Sequence, residues 1–457
     1  MQRPVAPTRE DGVARAASEV LGGPLGRHAG PGPGGAWSAP SVLALLAVPT
    51  LVLAVLTRQP CRVDGFASPG QFTNACYSDL PALFVSSGLD RGVVPYLQSV
   101  DGVHLAQPVG TGGLLALLAW LAPGGSGAPT WVFDVGVLLL ALALVVTVLA
   151  VAALADRRPW DAALVALSPV VVVAGLVSLD LVAVALATLG TLALARHRPV
   201  AAGVLLGLAV AVRPVALVPL VALWLLSVRT GRYRATARAT GAALLAWGLV
   251  NLPVLAVAPQ GWAAYWSGVL DAPAGYGGLW LLPGLAGSSL PPATVRWGWV
   301  VGLVVVLLLV ALATLGTRRR PRLPAVVVLL LVGVFVVAPS VPVQASLWLL
   351  PFAALAVPRW RDHLVWGGVE VAYATGTWLY LYGLSVPERG LAPWAYGVLL
   401  VARLAAMGWL ARQALSAARE PHLDPVRTPR DAPGLSRDDP AAGDLEGAAD
   451  AVVVRVT

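Results

Sequence analysis

A dozen apolar stretches, separated by short polar gaps, run from residue 40 to residue 412. A helix that crosses hydrocarbon needs roughly 20 apolar residues and must satisfy its backbone internally, so these stretches read as bundled transmembrane helices. With 58% hydrophobic and 12% charged residues, a chain of 457 residues cannot clothe a surface that faces water. The fold class that follows is all-α, a polytopic membrane helical bundle of about 12 spans.

All 31 basic residues are Arg, and the net charge is +8. They lie in short gaps between apolar stretches, where membrane topology accounts for them, so nucleic acid is excluded as a partner and membrane lipid is the expected surrounding. Residues 1–38 are rich in Pro, Gly and Ala with scattered Arg, and read as a disordered cytoplasmic leader. A cleaved signal peptide competes with this reading; the length of the leader and the lack of a small-x-small site after the apolar run weigh against it. The first span is expected over 41–57, and 58–129 then forms a large first extracytoplasmic loop. Within it Val109 to Leu121 is apolar but makes only about 20 Å of helix, short for a crossing. It is placed on the outer leaflet as a juxtamembrane helix, because a crossing there would send Arg157, Arg158 and every later Arg cluster outside. Further spans are expected over 130–154, 161–178, 180–195, 199–212, 214–228, 236–257, 295–316, 323–338, 345–357, 364–383 and 391–412. Both termini are then cytoplasmic, and residues 414–457 read as a disordered cytoplasmic tail around a transmembrane domain at 39–413.

This map gathers the unusual polar residues on one face: Cys61, Asp64, Cys76, Asp79, Asp90, Asp101, His104, Asp180, Arg213 and Gln344. Ionisable groups beside apolar spans are costly unless they meet water or partners, so a shared outward cavity is expected. The only cysteines, Cys61 and Cys76, lie in an oxidising compartment on this map and read as a disulfide, with two free thiols as the alternative. Closing that loop would remove roughly 3 kcal/mol of unfolded-chain freedom. Two Cys and one nearby His do not make a metal site, and neither a metal nor a cofactor is expected. Asp79 opens Ser78-Asp79-Leu80-Pro81, where Pro81 fits only a first helical turn, so Asp79 reads both as a helix-capping residue and as a catalytic carboxylate. Asp180 reads as a cap or as cavity lining, and Arg213 as a snorkelling side chain or a phosphate ligand. Asp134 and Glu370, inside spans, read as interhelical hydrogen-bonding groups or as markers of a proton path.

Several segments resemble one known group. They are Cys76-Tyr77-Ser78-Asp79-Leu80-Pro81, Gly88-Leu89-Asp90-Arg91-Gly92 through Pro95-Tyr96, and Gln107-Pro108-Val109-Gly110-Thr111-Gly112. Farther along come Arg158-Pro159-Trp160-Asp161-Ala162, Ala166-Leu167-Ser168-Pro169, Ala202-Gly203-Val204-Leu205-Leu206-Gly207-Leu208 and Leu347-Trp348-Leu349-Leu350-Pro351. In this order, over residues 40–412, the chain resembles the actinobacterial membrane glycosyltransferases of family 87, with the GT-C architecture. The resemblance implies a polyprenyl-phosphate sugar donor, commonly carrying mannose, and a glycan or glycolipid acceptor on the outer face of the cell membrane. It implies that Asp79 is the general base of the first loop and that Arg213 holds the donor phosphate. Asp180, Gln344, Tyr77 and His104 are expected to line the same substrate site. The chain departs from the family pattern at Ala106-Gln107, where relatives often carry an acid, over 271–277, and at Ser340-Val341-Pro342-Val343-Gln344. A multi-span transporter or flippase, and a noncatalytic member that keeps the fold, are the rival readings; broken helices suit the first, and the loop with its cysteine pair favours the enzyme.

Overall fold

The computed structural model of the protein describes residues 11–22, 38–428 and 437–450. The regular structure among the described residues is helical, and an isolated bridge between Val100 and Val103 is the nearest approach to a strand among them. Five helices are long and apolar enough to cross a membrane: α1 (Ala39–Val63), α4 (Ala128–Leu154), α8 (Arg234–Val257), α10 (Pro292–Gly316) and α14 (Pro393–Arg419). Between α1 and α4 lie two shorter helices, α2 (Asp79–Ser86) and α3 (Val109–Leu121). The remaining helices used below are α5 (Asp180–Ala195), α6 (Pro199–Val212), α7 (Val218–Thr230), α9 (Pro259–Leu270), α11 (Leu323–Val337), α12 (Ser346–Ala356) and α13 (Trp360–Ser385). Large apolar side chains stand bare on the outer helices, among them Leu249 at 78% exposure on α8 and Leu312 at 66% on α10. Surfaces of this kind are at home against lipid.

Two expected spans take another form. The stretch 161–178 is broken into Pro159–Ala162, Ala163–Ala166 and Pro169–Ala174, because Pro169 excludes helix at the residue before it and Ser168 caps the new start. The stretch 345–357 becomes α12, every residue of which is buried. Eleven residues make about 17 Å of helix, so α12 is a core element and not a lipid-facing crossing. The helix α9 was not expected, since its mix of Trp, Tyr, Gly and Ser lacks a long apolar run.

The terminal segments also differ from their reading as disordered. Residues Gly12–Gly22 form a helix, and the Asp11 carboxylate ahead of it accepts the Trp360 N–H at 2.7 Å. The rest of 1–38, apart from residue 38 itself, lies outside the described residues, as do 429–436 and 451–457. Beyond Arg419 the chain folds back onto the bundle. Asp424 accepts from Arg322 Nε at 3.1 Å, and Asp438 accepts from Arg320 Nη2 at 2.5 Å. Asp439 accepts the Leu323 N–H at 2.7 Å, and His197 meets Asp444 at 2.7 Å. Composition describes what a segment can bury by itself; it does not register carboxylates that match buried guanidinium groups a hundred residues away. Asp424→Asn should therefore cost about 3–5 kcal/mol, the usual loss when one partner of a buried pair is removed. Arg322 and Asp424 are only 4% and 5% exposed. The check is the thermal midpoint of the detergent-solubilised protein; an unchanged midpoint would mean that the tail is not part of the folded domain.

The central pair α5 and α6 runs antiparallel, turning through exposed Arg196 and Arg198. At 1.5 Å per residue the opposite ends of the pair lie about 20–24 Å from that turn. The close fit of α6 to α8 comes from Gly203 and Gly207, four apart on one face. A Cβ on either would strike the backbone of α8 at Ala239 or Ala243.

Candidate active site

At the end of the bundle away from the Arg196 turn, two carboxylates and one guanidinium meet. Arg213 follows α6 and precedes Pro214, and the proline forces it into extended backbone (φ −147°, ψ 120°), which releases its side chain from the helix. The turn is held by α3, whose Thr111 hydroxyl donates to the Val212 carbonyl at 2.7 Å. Gly110 lets the two backbones touch, since a Cβ there would lie 2.7 Å from the Ala211 carbonyl oxygen. Arg213 Nε donates to Asp180 at 2.9 Å, and its Nη1 donates to the Gln107 side-chain oxygen at 2.9 Å.

Asp180 stands in the first turn of α5, 5% exposed. One of its oxygens also accepts from the Ser178 hydroxyl at 2.6 Å, and the other from the Trp348 indole at 2.9 Å. Both of its oxygens are thus bonded, and it serves as an anchor for Arg213, rather than as the helix cap that the sequence also allowed.

Asp79 reaches the same place by another route. Cys61 and Cys76 are joined as a disulfide, which ties the loop before Asp79 to the end of α1. Ser78 caps α2 by accepting the Leu80 N–H at 3.4 Å while donating to the Leu176 carbonyl at 2.9 Å, and the Asp79 N–H donates to Val177 at 2.6 Å. The carboxylate that leads α2 is thereby set against the segment that leads α5. It is half-buried and accepts from the Gln344 amide at 3.4 Å, with the Tyr77 hydroxyl alongside. Burial pushes Asp79 up to about 6, against the pull of Arg213 and the Tyr77 hydrogen bond, and the charge of Asp180 adds to the rise. The same burial, with Asp79 beside it, raises the Tyr77 hydroxyl, so it remains a donor.

A connected set results: Gln344, Asp79 and Tyr77 on one side, Trp348, Asp180, Ser178, Arg213 and Gln107 on the other, with Gln344 and Trp348 carried by a single segment. A narrow cleft of about 10 Å³, barely room for a water molecule, adjoins it, lined by Gln107, Pro108, Pro214, Trp247, Trp262 and Tyr265 among others. A larger cavity of about 580 Å³ involves Asp11, Arg158, Arg359 and His422, none of which belongs to this set.

Against this geometry, the family model of glycosyltransferase family 87 matches residues 107–341, just over half of the chain. The chain belongs to glycosyltransferase family 87. As a family 87 protein it is a membrane glycosyltransferase. No curated protein matches it. The matched stretch of this family 87 enzyme holds Gln107, Asp180 and Arg213; Asp79 and Gln344 lie outside it and are brought in by the fold.

Of the residues singled out in the sequence, Asp79, Tyr77, Asp180, Arg213 and Gln344 come together. His104 does not join them: its ring meets the Gln98 carbonyl at 3.2 Å in an exposed part of the loop. Asp134 accepts from Arg62 Nε and Nη2, at 2.8 and 2.7 Å, and Glu370 pairs with Arg403 at 3.0 Å. Trp348 was read only as part of an apolar motif; an indole N–H within a buried run requires a partner, and that requirement is the signal which could have found it. Among the described residues no three His, Cys, Asp or Glu side chains gather around one point.

Proposed function

We propose that this family 87 enzyme transfers a sugar, mannose by the family resemblance, from a polyprenyl-phosphate donor to a glycan or glycolipid acceptor on the outer face of the cell membrane. Asp79 is the general base. The acceptor hydroxyl loses its proton to Asp79 as its oxygen bonds to the anomeric carbon, and the bond from that carbon to the phosphate oxygen breaks. A single displacement of this kind inverts the anomeric centre. The departing polyprenyl phosphate gains negative charge beside Arg213, which spends Nε on Asp180 and Nη1 on Gln107 and keeps Nη2 for the ligand. The protein lies multi-pass in the membrane with both termini cytoplasmic, and the site opens outward.

The observation that carries this reading is the contrast between the two carboxylates. Asp180 is enclosed and takes three donors at 2.6–2.9 Å, whereas Asp79 keeps some exposure and is bonded by Tyr77 and, at 3.4 Å, by Gln344. A base must be deprotonated, and burial has raised Asp79 to about 6, so transfer should fall about tenfold per pH unit below about 6 and level off above it. The test is kcat/KM against pH for the purified protein with polyprenyl-phosphate-mannose as donor. Transfer from a nucleotide sugar and none from the lipid donor would overturn the reading of the donor, and a flat profile between pH 5 and 7 would remove Asp79 as the base.

A further inference from the structure

Arg403 lies on α14, outside the stretch that the family model matches, and is 0% exposed. Its guanidinium is aimed at one turn. Nη1 donates to the Val341 carbonyl at 2.6 Å; Nη2 donates to the Pro342 carbonyl at 2.9 Å, the Ser346 hydroxyl at 3.0 Å and the Val343 carbonyl at 3.5 Å. Behind these contacts Nε is paired with Glu370 on α13 at 3.0 Å, and the group lies 4.2 Å from the centre of the Tyr373 ring. The carbonyls of residues 341–343 lead into the short 3₁₀ turn Val343–Ala345 between α11 and α12, where the Pro342 carbonyl also accepts the Ala345 N–H at 3.0 Å. That turn contains Gln344, whose amide meets Asp79, and α12, which begins at Ser346, carries Trp348 to Asp180.

We propose that Arg403 is the positioning residue of the site: by holding the 341–346 turn it sets the Gln344 amide on one oxygen of Asp79 and leaves the other oxygen for the acceptor hydroxyl. The inference rests on the reading of Asp79 as base. A buried ion pair is a weak source of stability by itself, so the Glu370 pairing does not account for four further contacts to a single turn. The planar fork does account for them, because one rigid group spans acceptors that a point charge cannot reach together. The Gln344 contact to Asp79, at 3.4 Å, is at the limit of a hydrogen bond, so a small shift of the turn would break it.

Arg403→Lys separates positioning from plain charge balance. Lysine still neutralises Glu370 but loses the fork, so the full chain in detergent should keep its thermal midpoint within a few degrees. Its kcat should fall tenfold or more while the donor KM stays within about twofold, since misplacement of a reacting group is read in the chemical step. Amide hydrogen exchange over the 341–346 turn should speed up at least tenfold. An unchanged kcat or an unchanged exchange rate would overturn the proposal. Should Arg403→Lys fail to fold, Ser346→Ala removes a single acceptor: a drop of two- to fivefold in kcat at an unchanged midpoint supports the proposal, and no drop overturns it. A fully active Asp79→Asn would sink the reading of the base and with it the route through Gln344, whereas the exchange measurement judges the Arg403 clamp separately.

Discussion

Asp79→Asn should abolish most of the sugar transfer, by roughly 10²–10⁴-fold in kcat, the range that a positioned general base supplies. The amide keeps the shape of the side chain and its contact with Gln344, and the Asp79 backbone N–H still donates to Val177. Folding should therefore hold, and the thermal midpoint should stay level or rise, because a carboxylate whose burial disfavours its charge is replaced by a neutral group. Initial rates with the lipid donor, together with the midpoint, decide the matter. Transfer at the wild-type rate would remove Asp79 from the chemistry, and a collapsed midpoint would show that its charge supports the fold.

Arg213→Ala should damage both stability and function. Asp180 would be left buried without its cation, a loss of about 3–5 kcal/mol for one partner of a pair whose side chains are 17% and 7% exposed. The donor would lose the guanidinium that, alone among the described residues, is bonded to the network of the two carboxylates. Arg213→Lys divides these effects. It restores a charge beside Asp180, so most of the midpoint should return, but it cannot bridge Asp180 and Gln107 while also meeting a phosphate. The donor KM should then stay raised by at least tenfold. A donor KM at the wild-type value in Arg213→Lys would mean that the phosphate is held elsewhere.

The polar residues of this site were legible because they interrupt apolar sequence. Asp180 between Leu179 and Leu181, and Arg213 before Pro214, stand out at sites where lipid would not accept them, and the alternation of Arg clusters set them on the same face. The Ala106-Gln107 pair stood out as well, as a departure from the pattern that the family resemblance implies, and the fold gives the Gln107 side-chain oxygen to Arg213. Arg403 gave no such signal. In sequence it is one more Arg within a long helix, and its role comes from a turn about 60 residues earlier that folding lays against it. His104 shows the opposite case: a titratable residue in the right loop, turned to a local carbonyl, with no hydrogen bond to the Asp79 network.

By itself the sequence determined the solvent, the class of fold and the residues that had to find polar company, because apolar length and charge placement act through local free energies of transfer. Tertiary structure alone decided which apolar runs face lipid and which, like α12, fill the core, since a run that is apolar all round looks the same in both roles. It also decided that the carboxy-terminal carboxylates close over buried Arg side chains, and that Asp180 is consumed as an anchor while Asp79 is left available. These are matters of who meets whom across separations of 33 to 265 residues. Burial and hydrogen-bond count follow from those meetings, and together they separate a carboxylate that can take a proton from one that holds a guanidinium in place.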